Sequence, residues 1–365
     1  MKFIQTILYG LFIVLLGACR NDYAYEIEGE VSNLNNPTIY AIFEKEDAKW
    51  VDTVECKENG VFKIQHEAVD IQSVTLFFEN KTCWTTIYPE LHRTTVIEGD
   101  IRYPSLLKIK GSRINDQLTS LRKENKKILK EITDVENQFQ TETRLGTKSD
   151  LSANLNTLDF QLREEIISYI QQNPKEEASI VLIEHYFSNP DDTRKMDELL
   201  AVLDPELSQH YLVKRLQQYS KRAKLTALGE VAPDFSVSDI YHDPLSLDSF
   251  PNKHVLLTFT APWCDMCQSE NIYLDKIVRS YSKDTIEMLL VSLCDSMDEV
   301  GLLLENDSIQ WRLVTDSAGQ AARLLDLYNV NVLPQSILID DNKKIILKAE
   351  TATEVKQTLE KLLKK

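Results

Sequence analysis

Between residues 23 and 110 the chain alternates apolar and polar side chains in short runs. "YEIEGEV", "TIYAIF", "VDTVEC", "VFKIQ", "SVTLFF" and "TTVIEG" follow one another at close spacing. Alternation of this kind is the period of a strand with one face on a core. "ENG" at 58–60, between two of the runs, predicts a hairpin turn. Many short strands with frequent turns predict a small β-sandwich or barrel, and the β-rich domain is placed at 19–111.

After residue 111 the period lengthens. Ile114, Leu118, Leu121, Asn125, Ile128, Ile132, Val135 and Phe139 recur at alternating spacings of four and three. That is one apolar seam on a helix of more than six turns, with Asn125 as its polar member. "RLGTKSD" (144–150) breaks the pattern, and Leu155, Leu158, Leu162, Ile166 and Tyr169 restore it. Two long antiparallel helices joined by that loop are expected. Three shorter helices follow, opened by Pro174, Pro190 and Pro205 at first-turn positions. This is the helical middle region, 112–225. Its stripes read as core or interface, with a partner groove as the other reading.

A third pattern starts near "LGEVAPDF" (228–235). Strands at 255–260, 286–293, 335–340 and 344–349 alternate with helices at 264–282, 297–305, 318–327 and 352–364. A short segment lies around Trp311. This order predicts an α/β domain over 226–365, with a partly parallel sheet covered by helices on both faces. "DDNKK" is the hairpin between the last two strands.

The N-terminus stands outside these patterns. One lysine, an apolar run from Ile4 to Leu16 and then small residues make a secretory leader over 1–18. The run is short for a membrane span, the alternative being a short transmembrane anchor. Leu16-Gly17-Ala18-Cys19 resembles the lipobox of bacterial lipoproteins. That resemblance implies cleavage before Cys19, lipidation of its sulfur, and attachment to a membrane that the chain does not span. Cys19 as an ordinary thiol is the other reading. Arg20 after it, rather than Asp, points to the outer membrane. A soluble composition (43% hydrophobic, 27% charged) and a net charge of −16 fit a solvated acidic surface and argue against nucleic acid as a partner.

Outside the cytoplasm thiol pairs persist as structural or catalytic disulfides. Besides Cys19 the chain has Cys56, Cys83, Cys264, Cys267 and Cys294. Whether Cys56 and Cys83 pair is left open, Cys294 reads as a packed thiol, and His66 and His92 read as isolated packing or surface residues. Cys264 and Cys267 stand apart from these. "FTAPWCDMCQ" (259–268) places them one turn apart where a strand hands over to a helix. Free N–H groups and the positive helix end favour a thiolate at Cys264, below the ordinary value of about 8.5. Cys267 lies within disulfide reach, so one sulfur can attack and the other resolve. Trp263 offers an apolar platform beside them. Pro334 in "VLPQSILID" sits at a strand's start, where a proline is tolerated and a cis bond is conceivable. Zinc is disfavoured because no second cysteine pair follows. No cofactor or metal is called for.

The combination "APDFSVSDI", "WCDMC" and "YNVNVLPQSILID" resembles the thioredoxin-like domain of the TlpA/ResA group of extracytoplasmic disulfide reductases, over roughly 226–365. The upstream order of a β-rich module and helices is similar to Bacteroidetes lipoproteins carrying this domain. The resemblance implies Cys264 as nucleophile, Cys267 as resolving cysteine, Trp263 as the flanking aromatic and Pro334 as a cis proline. It implies Glu270 as a carboxylate that accepts or relays a proton. Three positions depart from the pattern. Thr258 replaces a buried acid, Ile272 replaces a common proline, and Asp265-Met266 stands between the cysteines. Asp265 opposes thiolate formation, so a reductant is expected rather than a strong oxidant.

The expected function is a lipid-anchored thiol–disulfide oxidoreductase of the cell envelope, facing the periplasm. Its partners would be extracytoplasmic protein thiols and disulfides and a reducing electron-donor protein. Two alternatives stand beside it. A thiol peroxidase would want Thr three residues before the reactive cysteine, where this chain has Ala261, with Thr260 one further back. A redox-sensing or binding module of an envelope assembly would use the β-rich and helical parts.

Overall fold

The computed structural model describes residues 24–45, 48–57, 59–294 and 311–363. The leader at 1–18, Cys19 and the helix expected over 297–305 lie outside the described residues. The chain forms two compact units that meet between Tyr169 and Ile170, so the helical stretch 112–225 is shared between them.

The first unit begins with eight strands: β1 (Tyr25–Ser32), β2 (Thr38–Lys45), β3 (Ala48–Glu55), β4 (Val61–His66), β5 (Ser73–Phe78), β6 (Cys83–Ile87), β7 (Thr94–Asp100) and β8 (Lys108–Lys110). They make two four-stranded sheets, ordered β4-β1-β7-β8 and β3-β2-β5-β6. Ile27, Phe62, Ile64, Ile97 and Ile109 from one sheet share a core with Ile39, Phe43, Val74, Leu76 and Ile87 from the other. The sandwich reading therefore holds. Each such side chain withdrawn from water contributes about 1.5–3 kcal/mol.

The turn expected at "ENG" is closed by the Gly60 N–H donating to the Lys57 carbonyl (2.8 Å) and the Lys57 N–H to the Val61 carbonyl (2.9 Å), but no paired hairpin follows, because β3 and β4 belong to different sheets. The turn carries the chain from one sheet to the other. Gly60 (φ +75°) lies so close to Val31 that a Cβ would fall 1.9 Å from its carbonyl oxygen. His66 stacks against Phe43 and Trp50, a packing role. His92 occupies a left-handed turn position (φ 59°).

The helices after the sandwich depart from the expected outline in three places. The seam from Ile114 to Phe139 is two helices, α1 (Arg113–Glu124) and α2 (Lys126–Thr141). They are parted at Asn125, whose side chain donates to the Leu121 carbonyl (3.0 Å) and whose backbone leaves the helical region. The seam stays in register across the break, so periodicity alone does not reveal it. Next, α3 (Leu145–Gln172) contains most of "RLGTKSD". The chain turns earlier, where Glu142 accepts from the Thr143 and Arg144 N–H groups (2.9 Å each). Finally, α4 (Glu177–Phe187), α5 (Arg194–Val202) and α6 (Tyr211–Leu225) are present, but neither Pro174 nor Pro190 lies in a helix's first turn. Pro205 does open a short 3-10 turn.

The second unit continues with a two-residue pair, β9 (Val237–Ser238) and β10 (Pro244–Leu245). Then come β11 (His254–Thr260), α7 (Asp265–Val278), β12 (Ile286–Ser292), β13 (Arg312–Val314), α8 (Gln320–Leu327), β14 (Gln335–Ile339), β15 (Ile345–Ala349) and α9 (Ala352–Leu363). The sheet order is β13-β12-β11-β14-β15. β11 runs parallel to β12 and antiparallel to β14. β11 reads "HVLLTFT" and is buried at every position after His254, as a central strand covered on both faces must be. Leu274 and Ile277 of α7 and Val355 and Leu359 of α9 cover the face carrying Leu256. Ala321 and Leu324 of α8, with Phe235 and Tyr328, cover the face carrying Leu257 and Phe259. The Tyr328 hydroxyl donates to the Pro233 carbonyl (2.6 Å), which ties the "APDF" segment to that second face.

Candidate active site

The β11–α7 handover puts two sulfurs in unequal surroundings. Cys264 caps α7, and its Sγ accepts from the Cys267 N–H at 3.2 Å. The sulfurs are joined as a disulfide, so this accepting atom stands where a thiolate would stand after reduction. The contact satisfies one of the orphan N–H groups of the helix's first turn. Cys264 is half-buried, whereas Cys267 has no exposed surface. The loop before them is pinned by Gln268, whose side-chain amide donates to the Pro262 carbonyl (2.9 Å). Trp263 is 71% exposed and Met266 62% exposed, so an apolar rim surrounds the accessible sulfur.

Below the pair lies a buried polar layer. Alternation along β11 turns Thr258 and Thr260 to the α7 side, the face of Leu256. Thr260 Oγ1 accepts from the Asn271 side-chain amide (2.9 Å), and the Thr258 hydroxyl meets the Ser336 hydroxyl (3.2 Å). Asn271 is four residues after Cys267, hence on the same side of α7. Its Oδ1 is buried with no hydrogen-bond partner among the described residues. Sequence reasoning missed Asn271 and Ser336. The spacing of four from Cys267 was the available signal for Asn271. Ser336 could be found only through strand register, because it pairs with Thr258 across β11 and β14.

Glu270, expected near the cysteines, has a hydrogen-bond partner on another helix. Its carboxylate accepts from the Ala352 N–H (2.5 Å), at the first residue of α9. Pro334 follows a cis Leu333–Pro334 bond and immediately precedes β14. The last β11–β14 pair is Phe259 with Gln335, so continuing the register sets Pro334 opposite Thr260. Pro334 thus lies at the sheet end from which the cysteine loop departs.

Among the described residues, no disulfide joins Cys56, Cys83 or Cys294. Cys294 is buried and donates to the Ser292 hydroxyl (3.3 Å). Cys56 and Cys83, left open as a pair, are half-buried and separate. Burial first, and then Glu55 or Glu79 nearby, pushes each of these two thiols up to about 11.

Residues 228–348 match the AhpC/TSA family, and residues 25–118 match a domain of unknown function, DUF4369. Over 139 residues the chain is 33% identical to the thiol–disulfide oxidoreductase ResA of Geobacillus thermodenitrificans, covering 37% of this chain and 78% of that protein. This chain belongs to the ResA-like thiol–disulfide oxidoreductases. A second relative, the ResA of Geobacillus kaustophilus, is 31% identical over 139 residues, 37% of this chain and 78% of its own. Among solved structures, the thioredoxin domain of a thiol–disulfide oxidoreductase from Bacteroides vulgatus is 27% identical, with a TM-score of 0.35, covering 38% of this chain and 98% of that one. The C-terminal part of this ResA-like protein is thioredoxin-like and the protein is an oxidoreductase. Proteins of this kind act on thiols and disulfides, and here the Cys264–Cys267 pair lies on the matched segment.

Proposed function

We propose that this protein is a lipid-anchored reductase of extracytoplasmic protein disulfides. The Cys264 thiolate attacks one sulfur of a substrate disulfide. A new S–S bond forms, the substrate bond breaks, and the leaving sulfur departs as a thiolate that takes a proton from water. Cys267, deprotonated in turn, attacks Cys264 Sγ. The mixed disulfide breaks and the substrate's second thiol is released. Two electrons have passed to the substrate, and the protein holds the Cys264–Cys267 disulfide. A dithiol electron donor then restores the pair by the reverse exchange.

One observation carries this reading: Cys264, whose sulfur caps α7, is half-buried, while Cys267 has no exposed surface. That asymmetry supports attack by Cys264 and resolution by Cys267. Trp263 and Met266 would shelter an incoming disulfide from water. Pro334, at the same sheet end, would leave the adjoining backbone open to an extended substrate. The lipobox-like Leu16–Cys19 stretch supports attachment to the outer membrane, with the catalytic part in the periplasm. Position 261 is a fully buried alanine, which disfavours the peroxidase alternative because no hydroxyl is available there to orient a peroxide.

Insulin reduction with dithiothreitol as donor tests the reading. Wild-type protein should accelerate it, Cys264→Ser should abolish the acceleration, and Cys267→Ser should accumulate mixed disulfides. Unchanged turnover in Cys264→Ser would remove that sulfur from the reaction.

A further inference from the structure

On the face of the sheet away from α7, a cleft of about 880 Å³ opens between α6, the loop after α4, and the segment leading to Pro334. Neither cysteine lines it. Val332 and Gln335, on either side of the Leu333–Pro334 bond, form part of its wall. A polypeptide lying along the Pro334 segment with its disulfide at Cys264 would therefore run beside the cleft's mouth.

Three residues with hydrogen-bond donors line it, Lys348, Asn329 and Tyr219. Lys348 projects from β15 on the same face as Ile337, its register partner on β14. Its ammonium bonds only the Thr226 hydroxyl (3.3 Å) and has no ion-pair partner among the described residues. Burial holds its pKa below the ordinary lysine value, and the field of Asp191 offsets this in part. Asn329 is 7% exposed, and its Nδ2 has no hydrogen-bond partner among the described residues. The Tyr219 phenol lines the same cleft, near enough for that amide to act on its ionisation. The phenol is itself pushed up to about 12, burial being the main cause, so it remains a donor. Burying an amide N–H without an acceptor, beside a half-buried ammonium with one hydroxyl acceptor, is costly, and a ligand that supplies acceptors recovers part of that cost.

The exposed carboxylates differ in role. Glu354 accepts from the Thr351 N–H and hydroxyl at the start of α9. Asp191 and Glu350 lie at the rim in water. Two rim acids disfavour a polyanion and tolerate one acidic group on an otherwise neutral or basic segment.

We propose that the cleft binds one carboxylate of the substrate polypeptide, held by Lys348, Asn329 and Tyr219 while the substrate disulfide lies at Cys264. This rests on the reductase reading and names the substrates it favours: disulfides with an acidic residue, or a chain terminus, a few residues from the reactive cysteine.

The test uses full-length reduced protein and capped cysteine peptides activated as 2-thiopyridyl disulfides, a neutral leaving group. Glu or Gln is scanned through positions two to five on each side of the cysteine. At one register wild type should consume the Glu peptide about tenfold faster than the Gln peptide, as expected for a charge-assisted hydrogen bond. The ratio should fall toward one in Lys348→Met and be kept in Lys348→Arg. If Lys348→Met does not fold, Tyr219→Phe should lower the ratio by a few-fold. A ratio near one at every register in wild type overturns the inference, as does a ratio that survives both Lys348→Met and Tyr219→Phe. Failure to reduce any peptide would sink the reductase reading itself, and the inference with it.

Discussion

Glu270 on α7 accepts the backbone N–H of Ala352, so the helix that carries the cysteines also supplies the acceptor that closes the start of α9. A carboxylate at a helix N-terminus gains both a hydrogen bond and the favourable helix dipole. Glu270→Ala should therefore lower unfolding free energy by about 1 kcal/mol, read from urea denaturation. Glu270→Gln keeps an acceptor and should lose less. If this capping contact is the residue's main role, the pH–rate profile of Glu270→Gln overlays that of wild type. A displaced profile would place Glu270 in the proton path.

Thr258 stands where the TlpA/ResA pattern has a buried acid, and its hydroxyl is matched to Ser336. Thr258→Val keeps the shape and strands the Ser336 hydroxyl in the core. Calorimetry should show a loss of about 1–2 kcal/mol. Disulfide reduction at neutral pH should stay within twofold of wild type, because no proton passes through a threonine. A large rate loss with intact stability would contradict this.

The thiols divide by ionisation. A group held near 11 is about one part in a thousand thiolate at pH 8. In the fully reduced protein at that pH, iodoacetamide should label Cys264 well before Cys56 or Cys83, as followed by peptide mass spectrometry. The sign follows from burial. Folding favours the protonated form of Cys56 and Cys83, so their contribution to stability is full below the ordinary thiol value and is lost as pH rises toward about 11. Early labelling of either residue would contradict the half-buried placement.

Asp265 lies in the first turn of α7, next to the capping sulfur. Asp265→Asn removes a like charge and should raise the alkylation rate of Cys264 at pH 7 by about twofold at low salt. The gain should shrink in 0.5 M salt, as an exposed charge demands. No change at low salt would mean that water already screens this carboxylate.

Lipidation makes a separate prediction. Cys19→Ser should move the protein from the membrane fraction to the soluble fraction without altering disulfide reduction in vitro. Retention in the membrane would favour the leader as an uncleaved anchor.

Much of the α/β part could be read from the sequence because covered strands and amphipathic helices carry different periods, and the cysteines fall where one gives way to the other. The sandwich strands were equally plain, except for β6, where residues 84–86 of "CWTTI" interrupt the apolar alternation, and β8, whose three residues "KIK" are too short to show a period. Other features depend on distant partners. The break at Asn125 comes from a side chain that bonds its own helix while the apolar seam continues past it. The capping by Glu270 spans 82 positions. Lys348 reaches its cleft because of a register shift near Leu338 and Ile339, which alternation along "IILKA" cannot disclose.

Cys267, sealed beneath its helix turn, cannot meet a foreign sulfur on its own. In the proposed reaction every captured client would be bound through the same atom, and its release would draw on a neighbour already in place. The dwell time of that captured state would be set first by the local fold, with surrounding thiol as a slower second route of release.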